Sequence, residues 1–186
     1  MRLLNPINPE RSAMRHSLLS GALEALSTNL RHHKQVKLFE VGSVYLPGED
    51  GDGLGLPDEP SRLVVVMSGA SDAATWKRAG NGGMDFFDLK GAAETLLDGL
   101  NVQASYEATE HPSFYPGRTA AVTSVGKNSQ RLGVIGELHP RVREAWGLPD
   151  QPVLVADLDV AALQSAAQQI AGGKATWFKT CHASHP

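Results

Sequence analysis

Cysteine is all but missing. The 186 residues contain one, Cys181, so no internal disulfide can form, and a reducing, cytoplasmic setting fits. Positive charge is not in excess either. Seventeen Lys+Arg against twenty Asp+Glu leave a net charge of -3 and a pI near 6.1. A surface whose main task is gripping a phosphate backbone normally carries a basic surplus, so this balance argues against a stand-alone nucleic-acid binder. No stretch approaches the ~20 apolar residues of a membrane span. Asn5, Pro6, Asn8, Pro9 and Glu10 interrupt the start before it could act as a secretory signal. Also lacking are a nucleophile elbow, a P-loop and a dinucleotide fingerprint. The run "GNGG" (80–83) has no flanking strand and helix to make it one.

What remains is ordinary globular material. Hydrophobic residues make up 41% and charged residues 20% of the chain, which is enough for one domain with a real core. Ser12 reads as an N-cap. Met14, Leu18, Leu19, Ala22, Leu23, Leu26 and Leu30 then recur at helical spacing up to a solvated His32-His33-Lys34 cluster. That helix, 12–31, carries more leucines than one small sheet face needs. It therefore predicts an exposed apolar patch above a monomer's usual few hundred Å².

"VKLFEVGSVYL" (36–46) and "RLVVVMSG" (62–69) read as strands, separated by a Gly/Pro/Asp loop over 47–60. A second helix is expected over 84–100, with Asp85 or Asp88 near its start. Short strands follow near 103–107, 119–125 and 131–137, the last two joined through Gly126-Lys127-Asn128 as a hairpin. Pro140 opens a short helix to Trp146, "PVLVADLDV" gives one more strand, and "VAALQSAAQQIA" a final helix. Helices and strands do not alternate strictly, so the expected class is α+β with a mostly antiparallel sheet. The domain is expected to span 1–171. The tail 172–186 has no clear periodicity and reads as a docking strand cut short or as a disordered end.

Two clusters invite chemistry. Cys181, His182 and His185 could each hold a metal, but a structural zinc takes four ligands from two separated pairs, and no second pair stands out. Glu137 and His139, in "RLGVIGELHPRV" (131–142), resemble the start of an acid/base or metal site. The architectural alternative is stronger: Gly136 permits a tight backbone, His139 caps the helix that Pro140 opens, and Glu137 pairs with an arginine.

Four stretches taken in order carry a further signal. "LLNPINPERSAMRHSLLSGALEALSTN", "LFEVGSVY", "FFDLKGAAETLL" and "HPSFYPGRTAAV…LGVIGELHP" resemble the synthetase-like module of the bacterial phenylalanine–tRNA ligase beta chain, from residue 3 to about 163. The family positions this picks out are Arg15, Glu40, Gly42, Lys90, Gly91, Gly117, Arg118, Gly136, Glu137, His139 and Pro140. The resemblance implies a class II aminoacyl-tRNA synthetase-like antiparallel sheet flanked by helices. It implies an α2β2 enzyme whose alpha chain activates phenylalanine with ATP and magnesium and charges phenylalanine tRNA. This module would then be one part of a longer beta chain. It lacks the long opening helix of a class II core, and its tail would lead toward a further domain.

The related catalytic chain uses two phosphate-binding arginines. The first ends a strand reading roughly G-R-V-Y-R, where this sequence has Gly42-Ser43-Val44-Tyr45-Leu46. Leucine cannot make a charge-assisted hydrogen bond to phosphate. The second belongs to a glycine-rich strand followed by Glu-Arg, expected near "ADLDVAALQ" (156–164); no glycine lies in that run, and Arg143 is the last arginine of the chain. The resemblance thus implies a fold kept and a chemistry lost, with no bound cofactor in this module. Two rivals stand beside it: a free-standing metal-dependent enzyme using Glu137 and His139, and an amino-acid-binding regulatory paralogue.

Overall fold

A computed structural model describes residues 13–47, 57–71, 82–126 and 128–170. It shows a six-stranded, wholly antiparallel sheet in the order β1-β2-β6-β5-β4-β3. The strands are β1 (Gln35–Ser43), β2 (Ser61–Gly69), β3 (Ala104–Ala108), β4 (Phe114–Ser124), β5 (Arg131–Leu138) and β6 (Val153–Asp159). The helices are α1 (Leu19–Leu30), α2 (Phe86–Gly99), α3 (Pro140–Ala145) and α4 (Val160–Ile170). The α+β class and the antiparallel sheet flanked by helices are as expected. The tail from 172, with Cys181, His182 and His185, lies outside the described residues.

Strand side chains alternate between two faces, and each face has its own core. Leu63 and Met67 of β2, Ile135 of β5 and Leu154, Ala156 and Leu158 of β6 pack with Leu89 and Leu97 of α2 and Leu163 and Ala166 of α4. On the opposite face Val64, Val66, Val134, Val153 and Val155 pack with Ala22, Leu23 and Leu26 of α1. The interior strands β2 and β6 thus have a core on each face, which is why "RLVVVMSG" and "PVLVADLDV" read as nearly continuous apolar runs. α2 starts where Asp85 forms a capping box with Asp88: its Oδ1 accepts from the backbone N–H of Phe87 and Asp88, and Asp88 Oδ2 accepts from Asp85 N at 2.7 Å.

The first helix departs from expectation. It begins at Leu19, not near Ser12, a residue outside the described set. Residues 13–18 are tied to the end of β1 instead, where Tyr45 N donates to Arg15 O at 2.8 Å and Arg15 Nε to Ser43 O at 2.8 Å. Those long-range bonds hold the segment out of helix, and Ser17 Oγ accepts from Leu19 N at the helix start. Leucine spacing alone cannot register this competition. Leu18, just before α1, and Leu23 and Leu26 within it are buried, and Leu19 and Leu30 pack partly against the same core. The large exposed apolar side chains lie elsewhere: Phe39 and Val41 on β1, Phe87 on α2, and Val125 and Trp146 beyond β4 and α3.

Candidate functional site

The sheet face that carries α1 changes character toward the Arg62 end of β2. In the register, Gly42 lies beside Arg62 and Arg62 beside Asp159, while Glu40 lies beside Val64 and Val64 beside Asp157. A row of polar side chains therefore crosses β1, β2 and β6 on one face. Arg15 reaches in from the segment before α1 and donates to Glu40 Oε1 at 2.6 Å. Gly42 makes room for it, because a Cβ there would stand 2.5 Å from Arg15 Nη2. Three of the positions named from sequence, Arg15, Glu40 and Gly42, thus form one interlocked unit. Arg62 faces Asp159 at 3.5 Å, and Asp159 Oδ1 also accepts from Ala162 N at 2.9 Å, closing the first turn of α4. Leu46 sits just past β1, bonded through its backbone to Asp58, with its side chain against the α1-side core.

Asp157 is the anomaly of this face. Its Oδ1 is buried and has no hydrogen-bond partner among the described residues. Burial pushes its carboxyl above the usual carboxylate range, against the opposing pull of Arg62 and His111. His111 leans on the Phe114 ring at 4.4 Å between centroids, and burial holds its imidazole below the ordinary histidine range. A phosphate group on this face would meet two carboxylates, Asp157 and Asp159, and two arginines already facing acidic partners.

The corner at 136–140 forms a second unit. Arg118 Nη1 donates to Glu137 Oε2 at 2.6 Å, with Glu137 largely buried (14% side-chain exposure) and Arg118 half out in solvent (55%). The Arg118 guanidinium lies 4.9 Å from the Tyr115 ring centroid, and Tyr115 packs toward the His139 ring at 6.0 Å. His139 Nδ1 accepts from Arg141 N at 3.1 Å and so caps α3, with Pro140 in its first turn. A Cβ on Gly136 would stand 2.9 Å from Arg118 O and 3.0 Å from Thr119 Oγ1. Gly117 takes a φ of +79°, the left-handed turn that lets Arg118 re-enter the strand. Each polar group here has an architectural partner, and among the described residues no three His, Cys, Asp or Glu side chains are grouped to hold a metal ion.

Lys90 and Gly91 lie apart from both units. Lys90 pairs with Glu94 at 3.3 Å along α2 and stands over the Tyr106 ring at 4.9 Å. Gly91 has open space around it, so no steric reason for glycine is visible there. Arg62, His111, Asp157 and Asp159 were not singled out from sequence. The alternation Asp157-Leu158-Asp159 in an otherwise apolar strand was the available signal, since period two puts both carboxylates on one face.

These features define an antiparallel α+β module whose conspicuous polar residues mostly pair with one another. The chain belongs to the family described as the phenylalanyl tRNA synthetase beta chain CLM domain, whose model matches residues 1–160. It is 41% identical over 163 residues to the phenylalanine–tRNA ligase beta subunit of Chromobacterium violaceum, covering 87% of this chain and 19% of that protein. The beta subunit of Symbiobacterium thermophilum is 40% identical over 168 residues, covering 89% and 18%. That of Geobacter sulfurreducens is 39% identical over 169 residues, covering 89% and 20%. The chain thus spans about a fifth of the length of these relatives. Among its described residues no helix is long and apolar enough to cross a membrane.

Proposed function

We propose that this chain is a non-catalytic, class II synthetase-like module of a phenylalanine–tRNA ligase beta subunit that supports assembly with the catalytic alpha subunit. In this reading the working enzyme is a cytoplasmic α2β2 ligase. Its ATP, magnesium and phenylalanine are handled by the alpha chain, and phenylalanine tRNA is met by the whole complex. The module proper covers 1–171, and 172–186 leads to a neighbouring domain.

One observation carries the non-catalytic part: the cations that a nucleotide triphosphate would need are missing or engaged. Position 46 is leucine, no arginine follows Arg143, Arg15 is bonded to Glu40, and Arg62 faces Asp159. Charge-assisted contacts to phosphate are worth ~1.5–3 kcal/mol each. Two absent contacts weaken ATP binding by roughly two to four powers of ten, at ~1.4 kcal/mol per tenfold. The developing charge of adenylate formation sits on the same oxygens, so the transition state loses at least as much.

The test is phenylalanine-dependent exchange of pyrophosphate into ATP by chain shown to be free of alpha subunit. No exchange and no sub-millimolar ATP binding are expected. Leu46→Arg alone should rescue neither, because β6 still presents Asp157 and Asp159. Exchange above background would end the non-catalytic reading. Failure of the chain to co-purify with the alpha subunit of its source organism would end the assembly reading.

A further inference from the structure

β1 is an outer strand of the sheet, so every second residue turns its backbone groups away from β2. Val44 N donates to Pro60 O at 3.0 Å and Leu46 N to Asp58 O at 2.9 Å. This fixes the parity: even positions bond toward β2 and odd positions face outward. Two outward groups at the end of the strand are nevertheless bonded. Ser43 O accepts from Arg15 Nε at 2.8 Å, and Tyr45 N donates to Arg15 O at 2.8 Å. One residue of the segment before α1 thus closes the edge of β1 at its far end, where an outer strand otherwise offers unpaired groups to another chain.

The hold on that segment is polar and half in water. No side chain of residues 13–17 is buried, and the first apolar anchor is Leu18, buried at the foot of α1. The Arg15–Glu40 pair at 2.6 Å has side-chain exposures of 43% and 38%, so its hold is modest and screened by salt. Gly42 decides whether the arginine can lie there. Its φ is not among the positive ones, so the strand itself does not require glycine. The closest atoms a Cβ would meet belong to the Arg15 guanidinium, Nη2 at 2.5 Å, while Leu18 Cδ2 stands at an ordinary 3.7 Å. Glycine here serves the arginine. A segment fixed by a few polar contacts, beside a sheet with a core on each face, opens at a far lower free energy than the sheet unfolds.

We infer that residues 13–17 form a latch, locked by Arg15 over Gly42 and hinged at Leu18, that opens as a unit while the sheet stays folded. Closed, the latch covers Ser43 O and Tyr45 N and neutralises Glu40. Open, it bares both backbone groups on an outer strand. It also leaves Glu40 without its cation, in one row with Asp157 across Val64, so the α1 face gains an unpaired carboxylate. A pull on the chain ahead of residue 13 meets this latch before it reaches the sheet.

The test is residue-resolved amide hydrogen exchange on the full 186-residue chain, comparing the parent with Gly42→Ala and Arg15→Ala. Gly42→Ala is the sharper variant, because only the end of a flexible side chain must move to admit the methyl group. In both variants the Tyr45 amide should exchange at least about tenfold faster, while Val44 and Leu46, bonded toward β2, and the amides of β6 keep their rates. The melting temperature should stay within about 2 °C of the parent's. Raising NaCl to about 1 M should speed Tyr45 exchange in the parent relative to Val44 and Leu46, and should not do so in the variants, where the lock is already gone. A smaller change at Tyr45 in either variant overturns the inference, because the segment is then held without the lock. So does a parent indifferent to salt. Equal acceleration at Val44, Tyr45 and Leu46, or a larger fall in melting temperature, also overturns it, because the segment then belongs to the cooperative unit of the sheet.

Discussion

Replacing Asp157 with asparagine should make the protein more stable at neutral pH, against the usual outcome of substitution in a half-buried site. Asp157 sits on β6 between Val64 and Val134 in the register, with one carboxylate oxygen buried and unpartnered. A buried polar group left unsatisfied costs about 1–3 kcal/mol. Arg62 and His111 offset part of this, but burial outweighs them and the carboxyl titrates above its usual range. A net gain of about 1 kcal/mol for Asp157→Asn at pH 7 follows, worth ~2–4 °C in melting temperature for a domain of this size. The sign with pH is fixed by linkage: a folded-state pKa above the unfolded value means stability is fullest below the unfolded pKa, near 3.9, and is lost as pH rises through the folded one. The advantage of asparagine should therefore be small near pH 4 and grow toward pH 7. His111 reinforces the trend. Without Asp157 its imidazole is lowered further, which weakens the variant below pH 6.5 and leaves it unaffected above. Urea melts of both proteins across pH 4–7.5 give the difference directly. A variant less stable than the parent at pH 7, or a difference that shrinks with rising pH, would show that Arg62 and His111 hold the carboxylate and that the burial argument is wrong.

Glu137→Gln should cost about 1 kcal/mol, less than a fully buried pair would, because the Arg118 end is half in water. Raising salt to 1 M should shrink the difference between parent and variant in the same urea melts. Gly69→Ala should be severe, about 3 kcal/mol or more and a fall of roughly 6–12 °C in melting temperature. Gly69 has a φ of +105°, and a Cβ would collide with Lys34 O, where β1 begins. Gly91→Ala should do the reverse, raising stability by about 0.5–1 kcal/mol, since the position is an open helix interior in α2. A destabilised Gly91→Ala in the same urea melts would refute the open placement of that face of α2.

How much of this was readable beforehand depended on how local the determining interactions are. The Asp85 cap, the Pro140 helix start and the apolar runs of β2 and β6 are set by residues within a few positions of one another, and the sequence announces them. The Arg118–Glu137 pair at the 136–140 corner spans 19 residues and was accessible only through the family resemblance, which set the two stretches on neighbouring strands, as β4 and β5 are. The start of α1 was not, since it is decided by bonds from residue 15 to residues 43 and 45. β4 begins at Phe114 and not near 119, because a register shift between Phe114 and Thr119 lets the strand continue through Pro116 and Gly117, residues that otherwise signal a turn.

The polar row on the α1 face shows the same division at the level of function. Arg15, Glu40 and Gly42 stood out only through family resemblance, and what they build is visible only in space: an arginine laid over a glycine and tied to a carboxylate two residues along the strand. Asp157 and Asp159 stood in plain view but carried no motif. Their placement comes from register, which sets them across from Val64 and Arg62 on the α1 face. A family can lose a catalytic arginine by one substitution and regain it by another. Carboxylates on the same face oppose that return, since each arginine put back would first be neutralised locally. On the proposed reading, the charge pattern of this whole sheet face, of which Leu46 is one position, is what opposes phosphate binding.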